Sequence, residues 1–372
     1  MGDQAIAARL DSTNKPTESD VGAMRFSGPL YVVWEVTLLC NLRCLHCYSG
    51  AATPHPDEFS TAEAEDVIRQ LSDIGVIILG FSGGEPLMRK DWRRLVKLAV
   101  DSGMLVSIGT NGTTVTPRVA RELKDLGVHS VCVSLDGTTP EVHEQVRQKK
   151  GLFPRTITAI ERLVDAGVRV VVGYTPVRYN VQHARGVVDL AYELGASAAN
   201  LSEFVPTGRG TLDLCLRPEE LHQVIDTWAA CKTEYAGRMD VFWHDCRVAE
   251  FVPPDEKAKY TGCGAGVALA RITVDGYVAP CVTLPVRVGN LREQRFADIW
   301  ENSPFLRRLR DRDNIEAGNC ADCRLKATCG GCRAVSMGFY GDAFRGDPYC
   351  WITPETGAWP AGNRQLPLVT AR

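Results

Sequence analysis

Leu30-Tyr-Val-Val-Trp-Glu-Val36 runs shortly into Cys40-Asn-Leu-Arg-Cys44-Leu-His-Cys47. The first run is apolar and rich in β-branched and aromatic residues, as a buried strand is. The second places three thiols at C-x3-C-x2-C spacing directly after that strand. Thiolates are soft ligands suited to iron–sulfur clusters and to zinc. A four-iron cluster needs four ligands, so three local cysteines leave one iron open to a small molecule. A zinc site, or three unrelated buried cysteines, is the alternative on spacing alone.

Working outward, the chain alternates between helix and strand. Ser60-Thr-Ala-Glu63 has the form of a capping box and opens a helix expected over Thr61–Ile74. A short strand follows at Val76–Gly80. Helix Trp92–Ser102, strand Leu105–Ile108, helix Pro117–Leu126 and strand Ser130–Ser134 come next. Helix Thr156–Ala166, strand Val168–Gly173, helix Ala184–Leu194 and strand Ala198–Glu203 complete the pattern. Short apolar runs alternating with helices imply parallel strands joined by right-handed crossovers. Six units fall short of a closed eight-unit barrel, so the fold expected is α/β, a partial (β/α)6 TIM-like barrel, with functional residues at the C-terminal ends of its strands. A small C-terminal cysteine-rich domain, expected to depend on a bound metal, follows it. The expected division is a polar arm over 1–28, the barrel over 29–210, a connecting region over 211–262 with a helix at Pro218–Glu234, the cysteine-rich domain over 263–352, and an irregular tail over 353–372.

The second strand leads into Ser82-Gly83-Gly84-Glu85-Pro86. Two glycines let backbone approach a ligand closely, and a carboxylate there can accept hydrogen bonds from an ammonium. Thr110-Asn111-Gly112 follows the third strand, and Ser134-Leu135-Asp136-Gly137 ends the fourth. With the cysteine triplet, these rim segments closely resemble the radical S-adenosylmethionine (radical SAM) superfamily. The resemblance implies a [4Fe-4S] cluster on Cys40, Cys44 and Cys47. S-adenosyl-L-methionine binds its open iron and is cleaved to a 5'-deoxyadenosyl radical, which abstracts hydrogen from a substrate. It makes Gly83, Gly84, Glu85 and Pro86 the motif that holds the methionine amino group. Asn111 becomes a rim contact, Ser134 a ribose or carboxylate contact, and Arg147 a carboxylate partner. Ordinary turn chemistry is the competing reading of Asn-Gly and Asp-Gly. Asn180 and Arg209 also follow strands and could serve cofactor, substrate or a solvated loop.

Seven further cysteines follow: Cys263, Cys281, Cys320, Cys323, Cys329, Cys332 and Cys350. Their order resembles the SPASM extension of radical enzymes, which carries two auxiliary clusters. By that resemblance Cys320, Cys323, Cys329 and Cys350 hold the outer cluster. Cys263, Cys281 and Cys332 hold the inner one, with its fourth position open or filled by Cys246. The family pattern usually has three residues between the third and fourth cysteines of the central run, whereas Cys329-Gly-Gly-Cys332 has two. A structural zinc knuckle on Cys320, Cys323, Cys329 and Cys332 is the alternative. A helix expected over Phe296–Leu309 separates the cysteine groups. Cys132, Cys215 and Cys231 are read as structural, with Cys132 in the core.

Composition narrows the partners. Of 372 residues, 42 are Lys or Arg and 45 Asp or Glu, a net charge of -3 that offers no attraction to nucleic acid or an anionic membrane. No apolar run reaches the roughly 18–20 residues of a membrane span. The polar start, Met1–Met24, lacks a secretion signal, so a cytoplasmic protein is expected. Fourteen cysteines in such a chain read as metal ligands rather than disulfides.

The family resemblance implies a radical oxidoreductase acting on a ribosomally made peptide, by crosslinking, decarboxylation or side-chain oxidation. An electron donor such as flavodoxin or ferredoxin is implied. So is a separate leader-peptide-binding carrier, since the stretch before the first strand is too short for such a domain. The alternatives are a tetrapyrrole propionate decarboxylase of the haem-synthesis type, and a non-catalytic iron–sulfur electron carrier. A porphyrin would need paired cations at the barrel mouth, for which Arg147, Lys149, Lys150, Arg178 and Arg209 are candidates.

Overall fold

A computed structural model describes residues 28–251 and 262–353, together with the backbone of Val369–Thr370. Most of the expected N-terminal arm and C-terminal tail lies outside the described residues. Seven strands run in sequence order and in parallel: β1 (Tyr31–Thr37), β2 (Ile78–Gly83), β3 (Leu105–Thr110), β4 (Ser130–Ser134), β5 (Val170–Tyr174), β6 (Ala198–Ser202) and β7 (Asp240–His244). Helices α1 (Thr61–Asp73), α2 (Trp92–Asp101), α3 (Pro117–Asp125), α4 (Pro140–Arg147), α5 (Leu152–Asp165), α6 (Ala184–Glu193) and α7 (Pro218–Glu234) connect them. The Ser60 capping box forms in full, with Ser60 and Glu63 exchanging hydrogen bonds.

Alternation along the strands separates two faces. Val32, Trp34, Leu79, Phe81, Val106, Ile108, Val131, Val133, Val170, Val172, Ala199 and Leu201 are at most 1% exposed and belong to one core with the helices. The other face mixes small and polar positions with Tyr31, Val33, Ile78, Leu105 and Val171. In register across the sheet, Gly80 meets Ser107 and Ser107 meets Ser130, while Gly109 meets Cys132. Ser134 meets Gly173, and Gly173 meets Asn200. This face lines the barrel lumen. Cys132 therefore departs from expectation: its neighbours Val131 and Val133 take the core side, so its thiol faces the lumen.

Other departures have local causes. The second strand extends to Gly83 because Phe81 and Ser82 continue the pairing with Trp34 and Glu35 of β1. The segment expected to connect the domains adds β7 as an edge strand on β6. Helix α4 was not anticipated, although Thr139-Pro140 is an N-cap and first-turn proline pair. The single helix expected over Phe296–Leu309 is two, α8 (Phe296–Asn302) and α9 (Pro304–Arg310), because Pro304 cannot continue the first and instead starts the second.

The cysteine-rich region is built onto the other edge of the sheet. β8 (Leu269–Ile272) pairs in parallel with β1, and β9 (Tyr277–Ala279) and β11 (Gly289–Asn290) follow antiparallel. β10 (Val286–Arg287) pairs with β12 (Val369–Thr370). Helix α10 (Arg333–Tyr340) begins directly after Cys332. Among the described residues no helix is long and apolar enough to cross a membrane.

Candidate active site and auxiliary cysteine sites

Cys40, Cys44 and Cys47 pack together at the C-terminal end of β1, beside Leu42 and Leu152. Each sulfur has a polar neighbour. Asn111 Nδ2 is 4.0 Å from Cys40 Sγ, Arg147 Nη1 is 3.7 Å from Cys44 Sγ, and Ser49 Oγ is 3.4 Å from Cys47 Sγ. Burial raises the Cys40 and Cys44 thiols above their ordinary range, and repulsion among the cysteines adds to it. An iron core with its positive charge relieves both effects, so the donor set fits a cluster.

The Gly-Gly-Glu segment docks against this loop. Gly84 N–H donates to Thr37 O at 2.7 Å and Glu85 N–H to Leu39 O at 2.8 Å. A Cβ on Gly83, whose φ is +113°, would stand 2.3 Å from Thr37 O, and one on Gly84 would stand 2.2 Å from Leu39 O. The glycines are thus required by the approach of the cysteine loop itself. Glu85 is fully buried and accepts from Thr110 Oγ1 and Asn111 N–H, both at 2.8 Å. Burial pushes its carboxyl up to about 7, against those bonds. Pro86 is buried and opens a short 3-10 turn. Ser134 is half-buried on the lumen face.

Arg147 ends α4 and donates through Nε to Asp136 Oδ2 at 2.5 Å. Asp136 is the hub that turn chemistry concealed. It is fully buried, lies 3.3 Å from His46 Nε2, and accepts Thr175 N–H at 3.1 Å. Burial opposes its charge, yet Arg147, His46 and His143 hold its carboxyl below the usual range. Burial lowers His46 to about 4. Two candidates serve the structure instead. Asn180 is fully buried and braces the backbone at Asp136, Thr175 and Val177. Arg209 clamps the cysteine loop: its N–H reaches Cys47 O at 2.9 Å, Nε reaches Cys44 O at 3.1 Å, and Nη1 reaches Ala51 O at 2.8 Å. Gly208, at φ +63°, allows this approach, since a Cβ there would meet Tyr48 O at 2.2 Å.

The downstream cysteines gather as two adjoining sets. Cys320, Cys323, Cys329 and Cys350 line one cavity. Each of their sulfurs accepts an N–H: from Arg333 Nη2 at 3.9 Å, Leu325 at 3.4 Å, Gly331 at 3.4 Å and Thr353 at 3.5 Å, respectively. Such bonds favour thiolate and suit a cluster. The shortened Cys329-Gly-Gly-Cys332 turn is accommodated by positive φ at both Gly330 and Gly331. Burial chiefly raises the Cys281 and Cys332 thiols, and repulsion from Cys263 adds to both, which places these three near one another. Cys246 shares a hydrogen bond with Cys329 and packs among Cys263, Cys323 and Cys332. Among the described residues no three His, Cys, Asp or Glu side chains are gathered around a single ion. A cubane binds one thiolate at each iron, so its ligands do not converge on one point.

Sequence reasoning also missed a buried charge cage beside these sets. The guanidinium of Arg247, fully buried, is bonded by Glu203, Asp245 and Asp347, and Asp347 also accepts Cys332 N–H at 2.8 Å.

Residues 34–191 match the Radical SAM superfamily, and residues 263–324 match SPASM, an iron-sulfur cluster-binding domain. The AdoMet-dependent heme synthase of Methanosarcina barkeri is 34% identical over 342 residues, covering 88% of this chain and 98% of that protein. The mycofactocin maturase MftC of Mycolicibacterium smegmatis is 33% identical over 344 residues, covering 88% of this chain and 84% of that protein. Among solved structures, Streptococcus suis SuiB bound to its precursor peptide SuiA superposes with a TM-score of 0.75 at 16% identity, covering 94% of this chain and 80% of that one. The chain belongs to the radical SAM superfamily and is a SPASM-type enzyme of [4Fe-4S] clusters and S-adenosylmethionine.

Proposed function

We propose that this enzyme oxidises a ribosomally made peptide in the barrel lumen. Cys40, Cys44 and Cys47 are the ligands of the cluster that, when bound, cleaves S-adenosylmethionine to a hydrogen-abstracting 5'-deoxyadenosyl radical. Glu85, held by Thr110 and Asn111, faces the methionine amino group. Ser134 contacts the ribose, and Arg147 keeps unused donors for a carboxylate. The barrel over 29–210 does this work. The two cysteine sets within 263–352 would hold auxiliary clusters, which would supply an acceptor for the electron that a net oxidation releases. An external flavodoxin or ferredoxin supplies the reducing electron, and a separate carrier delivers the leader peptide.

The observation that carries the peptide reading is the lumen wall. Gly80, Ser107, Gly109, Ser134, Gly173 and Asn200 give the β2–β6 part of the wall a run of small and polar residues suited to a peptide backbone, with the paired Glu35 and Arg271 beside it on β1 and β8. Of the five cations that a porphyrin's carboxylates would want, Arg209 is engaged by loop carbonyls, and Arg147, paired with Asp136, is the one assigned to the S-adenosylmethionine carboxylate. The relation to MftC supports the same reading. The relation to heme synthase favours a second one, decarboxylation of tetrapyrrole propionates, with the exposed Lys149, Lys150 and Arg178 as anchors.

One assay separates them. The anaerobically reconstituted enzyme is given S-adenosylmethionine, reductant and either a neighbouring-gene peptide with its carrier or an iron coproporphyrin. The peptide reading expects peptide-dependent stimulation of 5'-deoxyadenosine release and a mass change in the peptide alone. Loss of carbon dioxide from the porphyrin, with the peptide unchanged, would establish the second.

A further inference from the structure

Glu35 and Arg271 form a buried ion pair that joins the first barrel strand to the first strand of the cysteine-rich region. Arg271 Nη2 donates to Glu35 Oε1 at 2.8 Å, and the two residues are 5% and 2% exposed. Arg271 Nη1 donates to Val282 O at 2.8 Å, the carbonyl directly after Cys281. The guanidinium carbon lies 5.2 Å from the ring centroid of Tyr48, the residue after Cys47, and the Tyr48 hydroxyl meets Ser82 Oγ at 2.9 Å. One cation therefore touches the loop of the barrel triplet on one side and the Cys281 turn on the other.

Stability does not account for this pair. Removing two charges from water costs several kcal/mol per ion in real proteins, and apolar residues of similar volume often do as well. Arg271 Nε is buried with no hydrogen-bond partner among the described residues, so the pair is not even fully satisfied. What the arrangement does provide is a permanent charge at a fixed place, because guanidinium does not lose its proton in proteins. A positive charge beside an iron–sulfur site stabilises the more negative, reduced state and raises its potential. A nearby carboxylate does the reverse.

We propose that Arg271 is a positioning residue that fixes the Cys281 turn and holds up the reduction potential of the inner auxiliary cluster, with Glu35 moderating it. The inner site is thereby set to accept an electron from the lumen side. The proposal rests on Cys281 being a ligand, and not on which substrate the lumen takes.

The test is a redox titration of the full chain, reconstituted anaerobically, with each cluster followed by electron paramagnetic resonance and no substrate present. The signal that Cys281→Ala removes marks the inner site. Arg271→Met is expected to shift that signal to lower potential and Glu35→Gln to higher potential. Arg271→Lys should stay near wild type, and the triplet cluster should move less in every variant. If Arg271→Met and Glu35→Gln lose inner-site iron while Arg271→Lys keeps it, a charge is required there, as proposed. An unchanged potential in iron-replete variants, or shifts of the same sign in Arg271→Met and Glu35→Gln, overturns the proposal. So does Cys281→Ala if it removes no signal.

Discussion

Gly84→Ala tests why the Gly-Gly-Glu motif has glycine. The added Cβ would stand 2.2 Å from Leu39 O, 2.7 Å from Leu39 C and 2.8 Å from Leu38 C, all backbone atoms that cannot swing aside. Ordinary contact begins near 3.4 Å, so Leu39 O must retreat by about 1.2 Å. That retreat breaks the 2.8 Å bond from Glu85 N–H to Leu39 O. A lost bond of this kind costs about 1 kcal/mol. Overpacking adds about 1–3 kcal/mol. The sum is about 2–4 kcal/mol, concentrated on the residue that precedes Cys40. Reconstituted Gly84→Ala should therefore lose its triplet cluster, about four iron atoms per chain if the cluster is a cubane, and melt several degrees early. Gly109→Ala is the control: its Cβ would find nothing nearer than 3.9 Å, and full iron is expected. Iron, sulfide and Tm measurements decide the matter. Wild-type iron and Tm in Gly84→Ala, with only S-adenosylmethionine affinity reduced, would refute the packing argument and return the glycines to ligand approach.

Three further outcomes are expected. Asp136→Asn leaves Arg147 uncompensated and should cost about 3–5 kcal/mol by denaturant unfolding. The folded Asp136 carboxyl lies below its ordinary value, so its stabilisation is complete above about pH 3.9 and is lost as pH falls through the folded value; wild-type stability should fall more steeply in acid than that of Asp136→Asn. Arg209→Met removes two charge-assisted bonds to the cysteine loop, each worth about 1.5–3 kcal/mol before discounting for partial exposure; a chelator challenge should strip triplet iron faster while auxiliary iron stays. Cys132→Ser should bind wild-type iron, because that thiol stands in the lumen apart from the three cysteine groupings.

What could be read from the chain was whatever repeats locally. The helix–strand alternation, the Ser60 capping box and the thiol spacings are short-range patterns, and the barrel elements expected from them formed within a few residues of their expected bounds. The second strand ran three residues further because its partner β1 extends it, a pairing that Ser82-Gly83 does not announce. Residues acting across the fold left no local trace. Arg209 reaches a loop 165 positions away at Cys44, and Arg271 reaches Glu35 across 236 positions. Asp136 read as a turn former because its neighbours are a turn; only burial discloses that it holds Arg147 and His46. Cys132 was misplaced because period-two alternation fixes which residues share a face and not which face is the core.

In the function proposed, Cys40, Cys44 and Cys47 hold the cluster that cleaves S-adenosylmethionine. The most direct measurement of this is 5'-deoxyadenosine released by the anaerobically reconstituted chain with S-adenosylmethionine and a strong reductant. Wild type should release it and Cys40→Ala, Cys44→Ala and Cys47→Ala should release none, with auxiliary iron retained in all three. An iron-replete wild type that releases none, or variants that release as much, would contradict that function.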